Sequence, residues 1–246
     1  MTLARRLVAE GVGTAMLLAV VVGSATMADR LAGGNQALSL LANTIATGAG
    51  LLALILMFGT ISGAHFNSIV TLSEAWQGNV PRREVLPYLA AQLLGAFAGV
   101  AAAHLMFGLA PFETSTHMRA GPAMWWSEFV ATFGLIGVIM GCSRSRPSLT
   151  PFAVASYITA GYWFTASSSF ANPAVTLARM ATSTVAGIRP ADATGFIIAE
   201  LLGAAAATVL FGWLYPPAPA GATVAGTVTP GEFAGSSDQG VRPPRI

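Results

Sequence analysis

The chain has 246 residues, of which 54% are hydrophobic and only 9% charged, with a net charge of +2 and a mean hydropathy of +0.66. Soluble domains carry about 25% charged residues, so this chain cannot coat a water-facing surface and its outer surface faces lipid. That excludes a cytosolic enzyme, a disordered chain, a disulfide scaffold and a nucleic-acid binder, and the single Cys142 allows neither an internal disulfide nor a cysteine metal site.

Arg5 and Arg6 precede an apolar run that ends in small residues, as in a signal peptide. Glu10 inside the run, and its extent over Leu7–Ala28, favour a retained transmembrane helix. About 20 apolar residues cross a bilayer core, and six stretches qualify: Leu7–Ala28, Ala37–Ile61, Val85–Leu109, Met124–Met140, Pro151–Phe164 and Gly195–Tyr215. Two further apolar segments, Phe66–Trp76 and Ala171–Ile188, are too short to span. Such segments read as re-entrant half-helices, whose unpaired backbone is tolerated at membrane depth only inside protein or along a wet cavity. Arg5, Arg6, Arg82, Arg83, Arg144, Arg146, Arg242 and Arg245 fall on one side of this arrangement; Arg30, Arg119, Arg179 and Arg189 fall on the other. Positive charge marks the cytoplasmic side, so both termini are expected inside. Residues 216–246, rich in Pro, Gly, Ser and Thr, read as a disordered cytoplasmic tail.

The chain repeats itself. Asn67-Ser68-Ile69-Val70-Thr71-Leu72 lines up with Asn172-Pro173-Ala174-Val175-Thr176-Leu177 at an offset of 105 residues. Glu10 with Thr14 matches Glu128 with Thr132, Gly78 with Pro81 matches Gly187 with Pro190, and Gln92 with Gly95 matches Glu200 with Gly203. Each half, about 1–110 and 120–215, then holds three spans and one half-helix. Three is odd, so the halves insert in opposite orientations. The expected fold is an all-α membrane protein, a single channel domain over 1–215 with six transmembrane helices, two re-entrant half-helices and an inverted repeat. Paired broken segments in inverted repeats point to a site at the bilayer midplane. Opposed half-helix N-termini carry partial positive charge that repels cations, while asparagine amides orient polar neutral solutes.

These residues resemble the aquaporin/glycerol-facilitator family. Ser62-Gly-Ala-His65-Phe-Asn67 is similar to its first signature loop and Phe170-Ala-Asn172-Pro-Ala-Val-Thr176 to its second. The resemblance implies a pore constriction at Asn67, Ser68, Ile69, Asn172, Pro173 and Ala174, with Glu10, Glu128 and His65 supporting the loops, and a homotetramer in the lipid bilayer. Ser68 and Ile69 depart from the family's Pro and Ala. The family's filter usually takes Arg three residues after the second Asn, where this chain has Val175; counting from the two asparagines gives Thr47, Ala160 and Ser169 as the other positions. All four are small and uncharged, which implies a wide filter. The pattern resembles the aquaglyceroporin-like channels of bacterial arsenic-resistance operons, and implies passage of water, glycerol-like polyols and uncharged metalloid hydroxides such as arsenite across the bacterial inner membrane. No cofactor or metal is expected.

Three alternatives stand beside the channel. Glu10, Glu128 and Glu200 lie inside spans, where carboxylates are costly and mark function, so a proton-coupled transporter is open. Ser62 and His65 are the nearest pair for an intramembrane enzyme, which leaves the repeat unexplained. A purely structural membrane protein leaves the opposed half-helices unexplained. His65 reads either as a pore or pH-gating group or as a packed imidazole. Arg179, one turn past Val175, reads as an interfacial residue or as a stand-in for the missing filter Arg.

Overall fold

Long apolar runs punctuated by capping residues set the helices of the computed structural model, which describes residues 1–215. The chain forms α1 (Leu3–Leu31), α2 (Gln36–Ser62), α3 (Ser68–Trp76), α4 (Arg82–Met106), α5 (Pro122–Ser145), α6 (Thr150–Phe164), α7 (Pro173–Ala178) and α8 (Pro190–Leu214). Five of these, α1, α2, α4, α5 and α8, are long and apolar enough to cross a membrane. The remaining span, α6, has 15 residues and measures about 22 Å at 1.5 Å per residue; a 3₁₀ turn at Pro147–Leu149 leads into it. Helices α3 and α7 are the two half-helices. The expected tail lies outside the described residues.

Two elements differ most from the sequence reading. The fourth span is longer than Met124–Met140, running over 24 residues from the N1 proline Pro122. The second half-helix is much shorter than Ala171–Ile188: after α7 a 3₁₀ turn covers Arg179–Ala181 and helix then stops. Beyond it the carbonyls of Ala186, Val185 and Gly187 accept hydrogen bonds from the side chains of Arg179 and Arg119. Those backbone oxygens are satisfied by guanidinium groups instead of by a helical turn.

The polarity is inside-out. Leu38, Ile45, Leu94, Leu202 and Val209 are exposed on the outside, whereas Glu10, Glu128 and Glu200 are fully buried. Close helix crossings rest on small residues. A Cβ on Gly95 of α4 would sit 2.2 Å from the Gly11 carbonyl oxygen of α1, and one on Gly203 of α8 would sit 2.4 Å from the Phe129 oxygen of α5. Gly11 and Phe129 each directly follow the glutamate of their half, so the same crossing occurs twice and holds each glutamate beneath the loop that precedes its half-helix.

Candidate functional site

Each half-helix begins at an asparagine because the chain before it cannot continue as helix. Ala64 and Phe66 in one loop, and Ser169 and Ala171 in the other, have positive φ between 47° and 53°. Such backbone costs about 1–3 kcal/mol per residue and persists only where surrounding contacts over-determine it. The glutamates supply those contacts. Glu10 Oε1 accepts from Ser62 Oγ (2.6 Å) and the His65 N–H (2.9 Å), and Oε2 from the Phe66 N–H (2.8 Å) and Gln92 Nε2 (2.9 Å). Glu128 accepts the Phe170 N–H at 2.9 Å and the Ala171 N–H at 2.7 Å. In the second half Glu200 takes the place of Gln92: its Oε1 accepts the Asn172 N–H (3.1 Å) and Thr176 Oγ1 (2.8 Å), and its Oε2 has no partner.

The two asparagines then tie the half-helices together. Each is an N-cap whose Oδ1 accepts the N–H two residues on, from Ile69 at 2.9 Å and from Ala174 at 3.1 Å. Asn67 Nδ2 donates to the Ala171 carbonyl at 2.7 Å, and Asn172 Nδ2 donates to the Phe66 carbonyl at 2.8 Å. The Ser68 N–H, which a proline would lack, reaches Asn172 Oδ1 at 3.4 Å. An amide carries two N–H donors, so each asparagine retains one beyond its cross-link.

Both asparagines line a cavity of about 310 Å³. Leu17, Val21, Leu51, Ile55, Val154 and Ile158 give it apolar walls. Towards the side where α1 begins, its lining includes His65, Glu74, Ser143 and Thr150; towards the other side it includes Thr47, Tyr162, Ser169, Val175 and Arg179. Thr47 accepts a hydrogen bond from Tyr162 Oη at 3.2 Å, and buried Ser169 Oγ has no partner. His65 lines the cavity while its Nδ1 lies 3.0 Å from Thr71 Oγ1. Beside the second mouth Arg119 donates to three carbonyls, of Gly187, Ser167 and Val185. Burial, then the neighbouring Arg119 and Arg179, pushes the His117 imidazole below its ordinary range. Among the described residues, no three or more His, Cys, Asp or Glu side chains converge into a metal site.

Residues 1–166 match the family model described as "Major intrinsic protein". The chain belongs to the major intrinsic protein family. It is 55% identical over 216 residues to aquaglyceroporin AqpS of Rhizobium meliloti, covering 88% of this chain and 92% of that protein. It is 31% identical to the probable aquaporin AqpM of Archaeoglobus fulgidus, over 87% of this chain and 98% of that one. The X-ray structure of the aquaglyceroporin from Plasmodium falciparum superposes with a TM-score of 0.65 at 19% identity, over 87% of this chain and 96% of that one. That last likeness bears on the fold.

The cavity of this major intrinsic protein does not use every residue expected at it. Asn67, Asn172, Thr47, Ser169 and Val175 line it. Ser68, Ile69, Pro173 and Ala174 do not: Ile69 is fully buried in a cluster with Val70, Ile136, Met140, Ala204 and Ala207, and Ala174 packs into the main core. The cause is helical geometry. With the N-cap facing the cavity, the next two residues turn away and the third returns to the same face. Ala160, expected at the filter, does not line the cavity either: it is exposed on the outside of α6. Tyr162 lines the cavity instead, because two residues along a helix rotate a side chain by about 200°. Sequence reasoning missed Tyr162, Val70 and Glu74. The i, i+3, i+7 spacing from each asparagine marks Val70 with Glu74 and Val175 with Arg179. Arg179, read first as interfacial, is 4% exposed and lies in the lining.

Proposed function

We propose that this chain is a passive channel for small neutral solutes: water, glycerol-like polyols and uncharged metalloid hydroxides such as arsenite. The observation that carries the reading is the pair of cross-linked, asparagine-capped half-helices meeting in one cavity whose lining runs from Ser143 and Thr150 to Thr47 and Val175. Apolar walls strip no more than a few hydrogen bonds from a neutral solute but leave an ion unsolvated, and the free asparagine donors replace some of what the solute loses. The name of the aquaglyceroporin relative supports glycerol-sized cargo. Val175, three residues past Asn172, offers no donor and no charge, so it sets a wide size limit beside Thr47 and Ser169. Tyr162 narrows the same level from α6.

None of the three buried glutamates lines the cavity, and the Glu10 and Glu128 carboxylates are occupied by loop N–H donors. This favours the channel over the proton-coupled transporter. The arginine distribution supports both termini in the cytoplasm, the bacterial relative supports an inner-membrane location, and the family supports a homotetramer with one pore per subunit.

The test is Val175→Arg in reconstituted vesicles, with water, glycerol and arsenite permeabilities measured together. A planar, bulky fork of donors at this level reduces glycerol and arsenite flux at least tenfold and water flux less than threefold. Equal loss for all three, or loss for none, moves the size limit elsewhere.

A further inference from the structure

Seven residues past each asparagine stand side chains of opposite charge: Glu74 within α3 after Asn67, and Arg179 directly after α7 past Asn172. Asn67, Val70 and Glu74 share one face and line the cavity, as do Asn172, Val175 and Arg179. The half-helices run apart from their joined N-caps, so each charge sits about 10 Å from the centre by helical rise. The two are thus roughly 20 Å apart, each at its own end of the cavity and too far apart to form an ion pair.

Their settings differ. Glu74 is half-buried and its Oε2 accepts Asn79 Nδ2 at 2.6 Å. Arg179 is 4% exposed, with its guanidinium over the Phe170 ring. Among the described residues it hydrogen-bonds through Nε alone, donating to the Ala186 carbonyl, which leaves its terminal nitrogens for the cavity it lines. Arg119, by contrast, is consumed by loop carbonyls. A fixed charge against low-dielectric walls repels ions of its own sign far more than the same charge in water.

We propose that Arg179 and Glu74 form two oppositely charged collars in series, Arg179 rejecting cations at one mouth and Glu74 rejecting anions at the other. Neutral solutes pass both. This rests on the channel reading above and adds two selectivity residues to it, neither of them at the Val175 position.

The experiment uses the full-length protein in vesicles, with methylammonium and nitrate as probe ions and glycerol as the neutral reference. Arg179→Met is expected to raise methylammonium permeability, taken relative to glycerol flux in the same vesicles, at least tenfold. Arg179→Lys, which keeps the charge and loses the guanidinium fork, is expected to exclude methylammonium as wild type does. Glu74→Gln is expected to raise nitrate permeability at least threefold and leave methylammonium unchanged. An inserted Arg179→Met protein with methylammonium permeability within twofold of wild type overturns the proposal, as does a Lys variant that leaks or a Glu74→Gln variant that still excludes nitrate. If Arg179→Met does not insert, the Lys and Gln variants decide by the same criteria. A wild type that fails to conduct glycerol overturns the channel reading itself, whereas wild-type glycerol flux with unaltered ion exclusion in the variants overturns only the collars.

Discussion

Removing the Glu10 carboxylate tests how the first loop is held. Its two oxygens accept four hydrogen bonds, two of them from the backbone N–H groups of His65 and Phe66. Ser62 Oγ can rotate to a new partner, and Gln92 Nε2 also reaches Thr71 Oγ1 at 2.9 Å; the backbone donors have no alternative. In Glu10→Ala these two buried donors lose their acceptor at about 1–3 kcal/mol each, so the variant loses about 2–6 kcal/mol. Phe66, held at φ 48°, is freed to relax out of its left-handed conformation, which pulls its carbonyl from Asn172 Nδ2. Glu10→Gln replaces one acceptor oxygen by a donor and orphans one backbone N–H, so it costs about 1–3 kcal/mol. The assay is unfolding in mixed micelles alongside glycerol flux per folded protein. Stability should fall in the order wild type, Gln, Ala, with flux falling most in Ala. An Ala variant within about 1 kcal/mol of wild type, below the cost of one orphaned donor, would refute the reasoning.

Glu200→Gln keeps Oε1 as the acceptor for the Asn172 N–H and Thr176 Oγ1 when its amide nitrogen takes the place of the unpartnered Oε2. This exchanges one unpartnered buried atom for another, so its stability should stay within about 1 kcal/mol of wild type; a larger loss in the same unfolding assay contradicts this. Gly203→Val should lose about 3 kcal/mol, the upper end of overpacking, because a Cβ there meets the Phe129 backbone at 2.4 Å. Gly59→Ala, where a Cβ meets nothing within 4 Å, is the matched control and should be neutral or slightly stabilising. Ser68→Pro removes only the 3.4 Å bond to Asn172 Oδ1 and pre-sets helical φ, so glycerol flux should stay within twofold; a larger drop means that cross-link governs the constriction.

Much of the fold is legible because the bilayer imposes it. Span length, the paired short segments and the repeat each have one physical cause, and the helices follow them to within a few residues at most ends. The second half-helix is the exception, and its reason is tertiary: Arg119 and Arg179 satisfy the carbonyls that further helix would have satisfied. At the candidate site, a position's direction matters more than its chemistry. Ile69 and Ala174 belong to the signature loops yet point into packing, while Val70 and Glu74 point into the cavity. The helical period alone makes that division readable. Ala160 faces outward on α6 while Tyr162 lines the cavity; counting back from Asn172 fixes a distance along the chain but not the rotation of α6 about its axis. The unpartnered oxygen of Glu200 and the bond from Arg179 Nε to the Ala186 carbonyl depend on facing segments, and only three-dimensional packing reveals them.

The central claim, passive conduction of neutral solutes, is tested most directly by stopped-flow glycerol uptake into vesicles holding the purified protein, with and without an imposed proton gradient and uncoupler. The account predicts glycerol-driven reswelling many-fold faster than in empty vesicles and the same rate in every proton condition. Uptake that needs the gradient or collapses with uncoupler, or uptake no faster than in empty vesicles, would contradict it.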